Sequence, residues 1–224
     1  MRLWQVFSPE DQEYIDLMEK GIIFYNKNYK SFIEENDIDL APVYTWLASQ
    51  FKVPGKYKFP FHLFYQVEGS SNPMDNKYFA IHCSGLYKII IFDIDDKKVK
   101  LYDDDLFVIC LNHGYLSLSE QEDNEFENYI KCFPKLGINT YELFDEQYVN
   151  SLNEMQKRFA KEYLSRIYKS WKHIFNIHLP VNNWSVGKYK TIMGMTWTLH
   201  KNQINNIIDF YVTEEEIKRY YQFD

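Results

Sequence analysis

The run KIIIFDI at residues 88–94 constrains this chain more than any other segment. Its apolar residues occupy both parities of a strand, so neither face of that strand can look into water. A sheet covered on both sides satisfies this requirement, which makes 88–94 the central strand. A charged turn, a carboxylate cluster and a short helix over residues 105–111, closed by Gly114, follow with almost no slack. Six aspartates (Asp93, Asp95, Asp96, Asp103, Asp104 and Asp105) crowd against these apolar runs, a juxtaposition typical of a pocket rim.

The flanking segments define the rest of the architecture. RLWQVF at 2–7 reads as a first strand. A helix follows with Ser8 as N-cap, Pro9 at its first position and Gly21 at its end. Residues 22–25 are extended, and a second helix covers 40–51 behind the cap Asp39, broken at Val53-Pro54-Gly55. FPFHLFYQV at 59–67 is rich in strand formers, and the polar stretch 68–76 is expected to be a mobile loop. Ser119 and Glu122 form a capping box for a helix reaching Phe133, and Pro134 stops it. Ser151 and Glu154 cap the longest helix, which runs to Asn176 and spans about 37 Å. Leu152, Met155, Phe159, Tyr163, Ile167, Trp171 and Ile174 share one of its faces. Residues 190–199 alternate as a strand, paired in a hairpin with 204–212, and Thr213 with Glu216 starts a final helix. The expectation is an α+β fold, a single domain over 1–224. Its sheet is mixed or antiparallel, with a β-α opening, a long bracing helix and a C-terminal hairpin.

Composition excludes several classes. Hydrophobic residues make up 46% and aromatics 18%, enough for a substantial core. The net charge of −7 argues against a surface built to grip nucleic acid or an anionic membrane. The charge is uneven: residues 93–127 carry a net −8 and residues 157–173 a net +5. Three cysteines (Cys83, Cys110 and Cys132) lack metal-like spacing, no secretory leader opens the chain, and no apolar run could span a bilayer. These features predict a reduced, soluble, cytoplasmic protein.

The carboxylates carry the candidate chemistry. IIIFDIDD resembles the strand entry of haloacid-dehalogenase-type phosphatases, but Asp96-Lys97 follow the second acid and no later lysine-plus-acid-pair motif appears. A calcium loop from Asp93 fails because Lys98 stands where its glycine belongs. In Tyr102-Asp103-Asp104-Asp105 one acid caps the following helix, and a third is surplus and repelled by its neighbours, a cost typical of functional sites. Asp103 and Asp105 are therefore the candidate acid/base groups. His113, at the end of the same helix, joins them as a candidate that the helix dipole also explains. The histidines show no ligand spacing, so no metal site is predicted, and neither a phosphate-binding glycine loop nor a nucleophile elbow is present.

RLWQVFS with Gly21, YTWL at 44–47, FPFHLFYQV, VKLYDDDLFVICLN at 99–112, SWKHIF at 170–175 and TWTL at 196–199 together resemble a bacterial family, domain of unknown function 3841. The resemblance implies aspartates at Asp103 and Asp105, which this chain has. Where relatives often carry a Trp-His pair it has Phe107-Val108, and Met193 and Thr198 stand where they tend to be polar. The β-α opening, the aromatic strand and the late strand pair are also similar to ADP-ribosyltransferase-like domains. That likeness implies NAD in a cleft between two small sheets, with an Arg or His on the first strand and a Glu on a late one. Arg2 suits the first role, but residues 190–199 contain no glutamate.

The leading expectation is a pocket-bearing domain that takes a small molecule or nucleotide. Arg2 would hold an anionic group, and Trp4, Tyr44 and Tyr65 would form aromatic walls. On this reading, Asp103→Asn with Asp105→Asn removes ligand binding and leaves the apo fold intact. The alternative is a non-catalytic domain whose acidic 93–127 or basic 157–173 surface meets a protein partner.

Overall fold

The computed structural model describes residues 1–24, 40–51, 60–79, 81–179 and 190–221. The apolar run lies in strand β4 (Gly85–Asp93), where Ile89, Ile90 and Phe92 are fully buried. β1 (Arg2–Phe7) and β8 (Ile204–Val212) flank it, and both run antiparallel to it. Beyond β1 come β3 (Phe61–Gln66), β6 (Ile192–Thr196) and, at the far edge, β5 (Lys100–Asp103). The order is thus β5-β6-β3-β1-β4-β8, with every pairing antiparallel. β2 (Ile22–Phe24) and β7 (Thr198–His200) make a separate antiparallel pair.

Strand parity sorts the side chains into two clusters. Leu3, Phe7, Leu63, Ile90 and Phe92 meet Leu17 of helix α1 (Gln12–Lys20) on one face. Trp4, Phe64, Ile89 and Phe210 pack on the other. A third cluster gathers α2 (Ala41–Ser49), α3 (Asp104–Leu111), α4 (Glu120–Ile130) and α6 (Glu154–Trp171) around the buried Trp171, Phe133 and Tyr102. α5 (Glu146–Ser151) leads into α6, and α7 (Glu214–Tyr221) closes the described chain. The result is an α+β fold. Among the described residues, no helix is long and apolar enough to cross a membrane.

The late segment corrects the expected hairpin. The chain breaks at the buried Trp197, so β6 stays in the large sheet while β7 leaves to pair with β2. A 3-10 turn at Lys201–Gln203 then carries β8 to β4. The reason is burial: β4 is apolar on both faces and needs a neighbour on each side, and β8 matches it with Ile208 opposite Ile89 and Phe210 opposite Tyr87. Periodicity fixes which way a side chain points, but it does not choose the neighbouring strand.

Caps shift the expected helix boundaries. Asp11, rather than Ser8, is the N-cap of α1, and its Oδ2 accepts from the Ser8 N–H at 2.7 Å. Gly21 ends α1 in the left-handed region at φ 75°, donating to Leu17 O. Asn153 with Gln156, rather than Ser151 with Glu154, forms the capping box of α6. That helix has 18 residues, about 27 Å, and a 3-10 turn extends it to Phe175. Met155 in its first turn is exposed although it lies on the apolar face. The 68–76 segment is tied internally: Asp75 accepts from Ser70 Oγ (2.6 Å) and Asn72 Nδ2 (2.8 Å), and Asn76 Nδ2 donates to Val67 O (2.8 Å). The expected cap Asp39, the break at Val53-Pro54-Gly55 and the strand residue Phe59 lie outside the described residues.

Candidate ligand-binding site at the seam of the sheet

The large sheet is two laddered halves joined at one point. β1 pairs with β4 along its whole length, from Arg2 opposite Asp93 to Phe7 opposite Lys88. β3 likewise follows β6, with an irregularity between Phe64 and Gln66. Between β1 and β3 the register holds one pair, Trp4 opposite Phe64. A hollow borders each end of this short junction.

The hollow at the Arg2 end has a volume of about 600 Å³, and its lining includes Arg2, Trp4, Tyr65, Asn72, Ile91 and Asp96. Trp4 is 2% exposed, and its ring packs on Phe64 at 4.5 Å between centroids. Its Nε1–H is buried and meets no acceptor among the described residues. A buried donor left without an acceptor costs about 1–3 kcal/mol, so an acceptor supplied by a ligand or water would be favourable there.

Arg2 is exposed. Its Nε donates to Asp93 Oδ1 at 3.1 Å and its Nη2 to Oδ2 at 3.4 Å, while Asn205 Nδ2 donates to the same carboxylate at 2.7 Å. The hydrogen bond from Arg2 holds the Asp93 carboxyl below its usual range, and Asp93 raises the guanidinium in turn. Because water screens an exposed pair of this kind, the guanidinium can exchange part of it for an anion in the hollow.

The tetrad lies elsewhere and has a different occupation. Asp103 closes β5, is fully buried, and caps α3 by accepting from Leu106 N at 3.2 Å. Its other oxygen pairs with Lys190 Nζ at 2.5 Å. Thr191 N donates to Asp105 Oδ2 at 3.3 Å, and Asp104 N donates to Thr191 O at 3.0 Å. The tetrad thus clamps the start of the late strand onto the edge of the sheet. Burial, then the neighbouring Asp105 and Asp103, push the Asp104 carboxyl up to about 7. Burial also raises Asp105, against the hydrogen bond from Thr191 that lowers it.

His113 follows the C-cap Asn112 with a left-handed φ of 56°, and its ring stacks on Phe144 at 4.0 Å. Tyr44 is buried on α2, edge-on to Phe107 (5.6 Å) and His62 (5.9 Å). His62 Nδ1 lies 2.8 Å from Tyr102 Oη, and burial lowers the imidazole to about 4, so it is neutral at pH 7.

The structure therefore brings Arg2, Trp4 and Tyr65 into one hollow, and Tyr44, Asp103, Asp105 and His113 are not among its lining residues. Lys190 was missed by sequence reasoning: its partner lies 87 residues away, and no local pattern marks it. Among the described residues, no three His, Cys, Asp or Glu side chains gather as metal ligands.

Fold and site together define an antiparallel α+β domain with ligand-sized hollows where the two halves of its sheet meet. Residues 5–205 match the family described as domain of unknown function (DUF3841), and the chain belongs to that family. Comparison with curated proteins gives no match, and comparison with solved structures gives none either.

Proposed function

We propose that this protein binds a nucleotide-like small molecule of low charge, such as NAD or a nucleoside monophosphate, in the hollow at the Arg2 end of the seam. The observation that carries the reading is Trp4, which lines the same hollow as the exposed Arg2 guanidinium and whose buried indole N–H meets no acceptor among the described residues. A phosphate oxygen would satisfy both donors. Tyr65 and Ile91 supply apolar wall for a base, and the volume suits a molecule of this size. Arg2 is paired with Asp93, and Asp96, which lines the hollow, is paired with the Met1 ammonium at 2.7 Å. Few uncompensated positive charges therefore await a ligand, and one with fewer charges than a triphosphate is favoured. The proposal is one of binding rather than catalysis: the carboxylates first considered as acid and base are engaged in clamping the late strand.

Thermal denaturation of the wild type, Arg2→Ala and Trp4→Phe with NAD, AMP and ATP tests this. A ligand at 100 times its Kd stabilises the folded state by about 2.7 kcal/mol, a rise in Tm of several degrees. Arg2→Ala should lose that rise, and Trp4→Phe, which keeps an aromatic ring on Phe64 but removes the N–H, should weaken binding about tenfold when each variant is compared with its own ligand-free Tm. Equal ligand shifts in all three proteins would refute the site.

A further inference from the structure

β8 is an edge of the large sheet, and its outer side pairs with no strand among the described residues. Its register with β4 is regular from Asn206 to Val212, and the one irregularity lies toward Ile204. Edge strands are commonly shielded by lysine, proline or a bulge within the strand. INNIIDFYV holds no lysine and no proline, and the carboxylate of its one charged residue, Asp209, accepts from Lys88 Nζ at 2.6 Å. One backbone donor is held locally: Asn206 Oδ1 accepts from the Ile207 N–H at 2.9 Å. The opposite edge strand, β5, has four residues and runs directly into α3, so it offers little to a partner.

The two faces of β8 differ. Ile208, Phe210 and Val212 belong to the cluster around Trp4 and Ile89. On the other face α1 covers the middle of the sheet, with Leu17 in one cluster with Leu3 of β1 and Ile90 of β4, but the cover stops short of β8. Tyr211 is 62% exposed, Leu86 directly opposite it 49%, and Ile207 38%. The regular register places all three on one face, so an open edge and an apolar strip lie side by side.

We infer that β8 is a homodimerisation edge, at which two copies of this chain join antiparallel β8 strands about a twofold axis perpendicular to the sheet. That operation keeps each face of the sheet on its own side. Ile207 and Tyr211 of one copy therefore share a face with those of the other, and the two apolar strips merge. The backbone of residues 206–212 supplies the ladder hydrogen bonds to its twin. Charge permits the match, since the only charges at the joint are the Lys88–Asp209 pairs, each already neutralised within its own copy. Over seven regularly paired residues the joint is about 24 Å long. That is at the small end of specific interfaces, so the dimer should be weak, with a Kd of about 10–100 µM. The inference does not rest on the nucleotide reading, and the residues that argue each are different.

Sedimentation velocity of the full chain from about 5 to 500 µM tests this, in reducing buffer so that the exposed Cys83 forms no disulfide. The wild type should pass from monomer to dimer across that range. Ile207→Lys and Tyr211→Lys each place a charge on the exposed strip; they should keep the Tm and raise the Kd at least about tenfold. If Ile207→Lys destabilises the monomer, Tyr211→Lys, at the more exposed position, still decides the matter. Amide hydrogen exchange within 206–212 should slow as the dimer forms, which side-chain contact alone would not produce. Added salt should tighten the dimer, because each copy carries a net charge of −7 and screening weakens their repulsion. A head-to-tail contact between the acidic 93–127 and basic 157–173 surfaces would loosen instead. The inference falls if the chain stays monomeric throughout, if both lysine variants dimerise like the wild type, if the 206–212 amides exchange alike in monomer and dimer, or if salt dissociates the dimer.

Discussion

Replacing Asp103 by Asn leaves a shape that still caps α3 but strips the partner from a lysine buried with it. The pair is 2.5 Å long, with side-chain exposures of 9% for Lys190 and 0% for Asp103. Removing one member of a buried pair costs about 3–5 kcal/mol, because the remaining charge stays in a poorly solvating environment. The reverse variant, Lys190→Met, strands the Asp103 carboxylate with one backbone donor, Leu106 N, and should cost a similar amount. Against a total stability of about 5–15 kcal/mol, either change removes a large share. In urea, a loss of about 4 kcal/mol moves the midpoint down by about 1.5–2 M. The double variant, Asp103→Asn with Lys190→Met, removes both charges while the Asn oxygen can keep the cap, so it should lie closer to the wild type than either single variant. A double-mutant cycle from urea melts followed by circular dichroism should give a coupling of at least about 2 kcal/mol. Single variants each within about 1 kcal/mol of the wild type, or a strictly additive double, would show that the pair is not buried in solution. Changing Asp103 together with Asp105 should therefore weaken the apo protein itself, contrary to the expectation that its fold stays intact.

Asp104→Asn should act in the opposite direction and depend on pH. The Asp104 carboxyl is raised from 3.8 to about 7 in the folded state, so folding suffers no penalty below pH 4 and loses stability as pH climbs from about 4 to 7. The side chain keeps some solvent contact, which tempers the effect to about 1–2 kcal/mol at pH 8. Asn should therefore raise Tm by several degrees at pH 8 and leave it unchanged at pH 4, and a gain independent of pH would contradict the assignment. Gly194→Ala should lower Tm, since the added methyl would meet Val99 Cγ1 at 2.9 Å, Leu3 Cδ2 at 3.0 Å and Leu101 Cδ2 at 3.2 Å. Overpacking of this kind costs about 1–3 kcal/mol, and an unchanged Tm would mean that β6 shifts freely against β3 and β5.

Local pattern made much of the fold legible. The buried strand at 88–94, the β-α opening closed by Gly21, and the apolar face of the long helix all follow from repeats and caps that act within a few residues. The candidate hollow was legible in part. Arg2, Trp4 and Tyr65 do line one hollow, whereas Tyr44 was drawn into the helical core by Phe107 and His62, and His113 stacks on Phe144. The crowding of Asp103, Asp104 and Asp105 was visible along the chain, but its purpose depended on Lys190 and Thr191, which arrive from the far end of the sequence.

The order of residues alone determined which segments extend, which coil, and which side of each is apolar, because those preferences come from neighbours along the backbone. Tertiary structure decided that β8 joins β4 rather than β6, that Lys190 pairs with Asp103, and that β1 and β3 share a single registered pair. Those outcomes depend on competition among distant partners for the same buried surface, and no stretch of sequence contains both competitors.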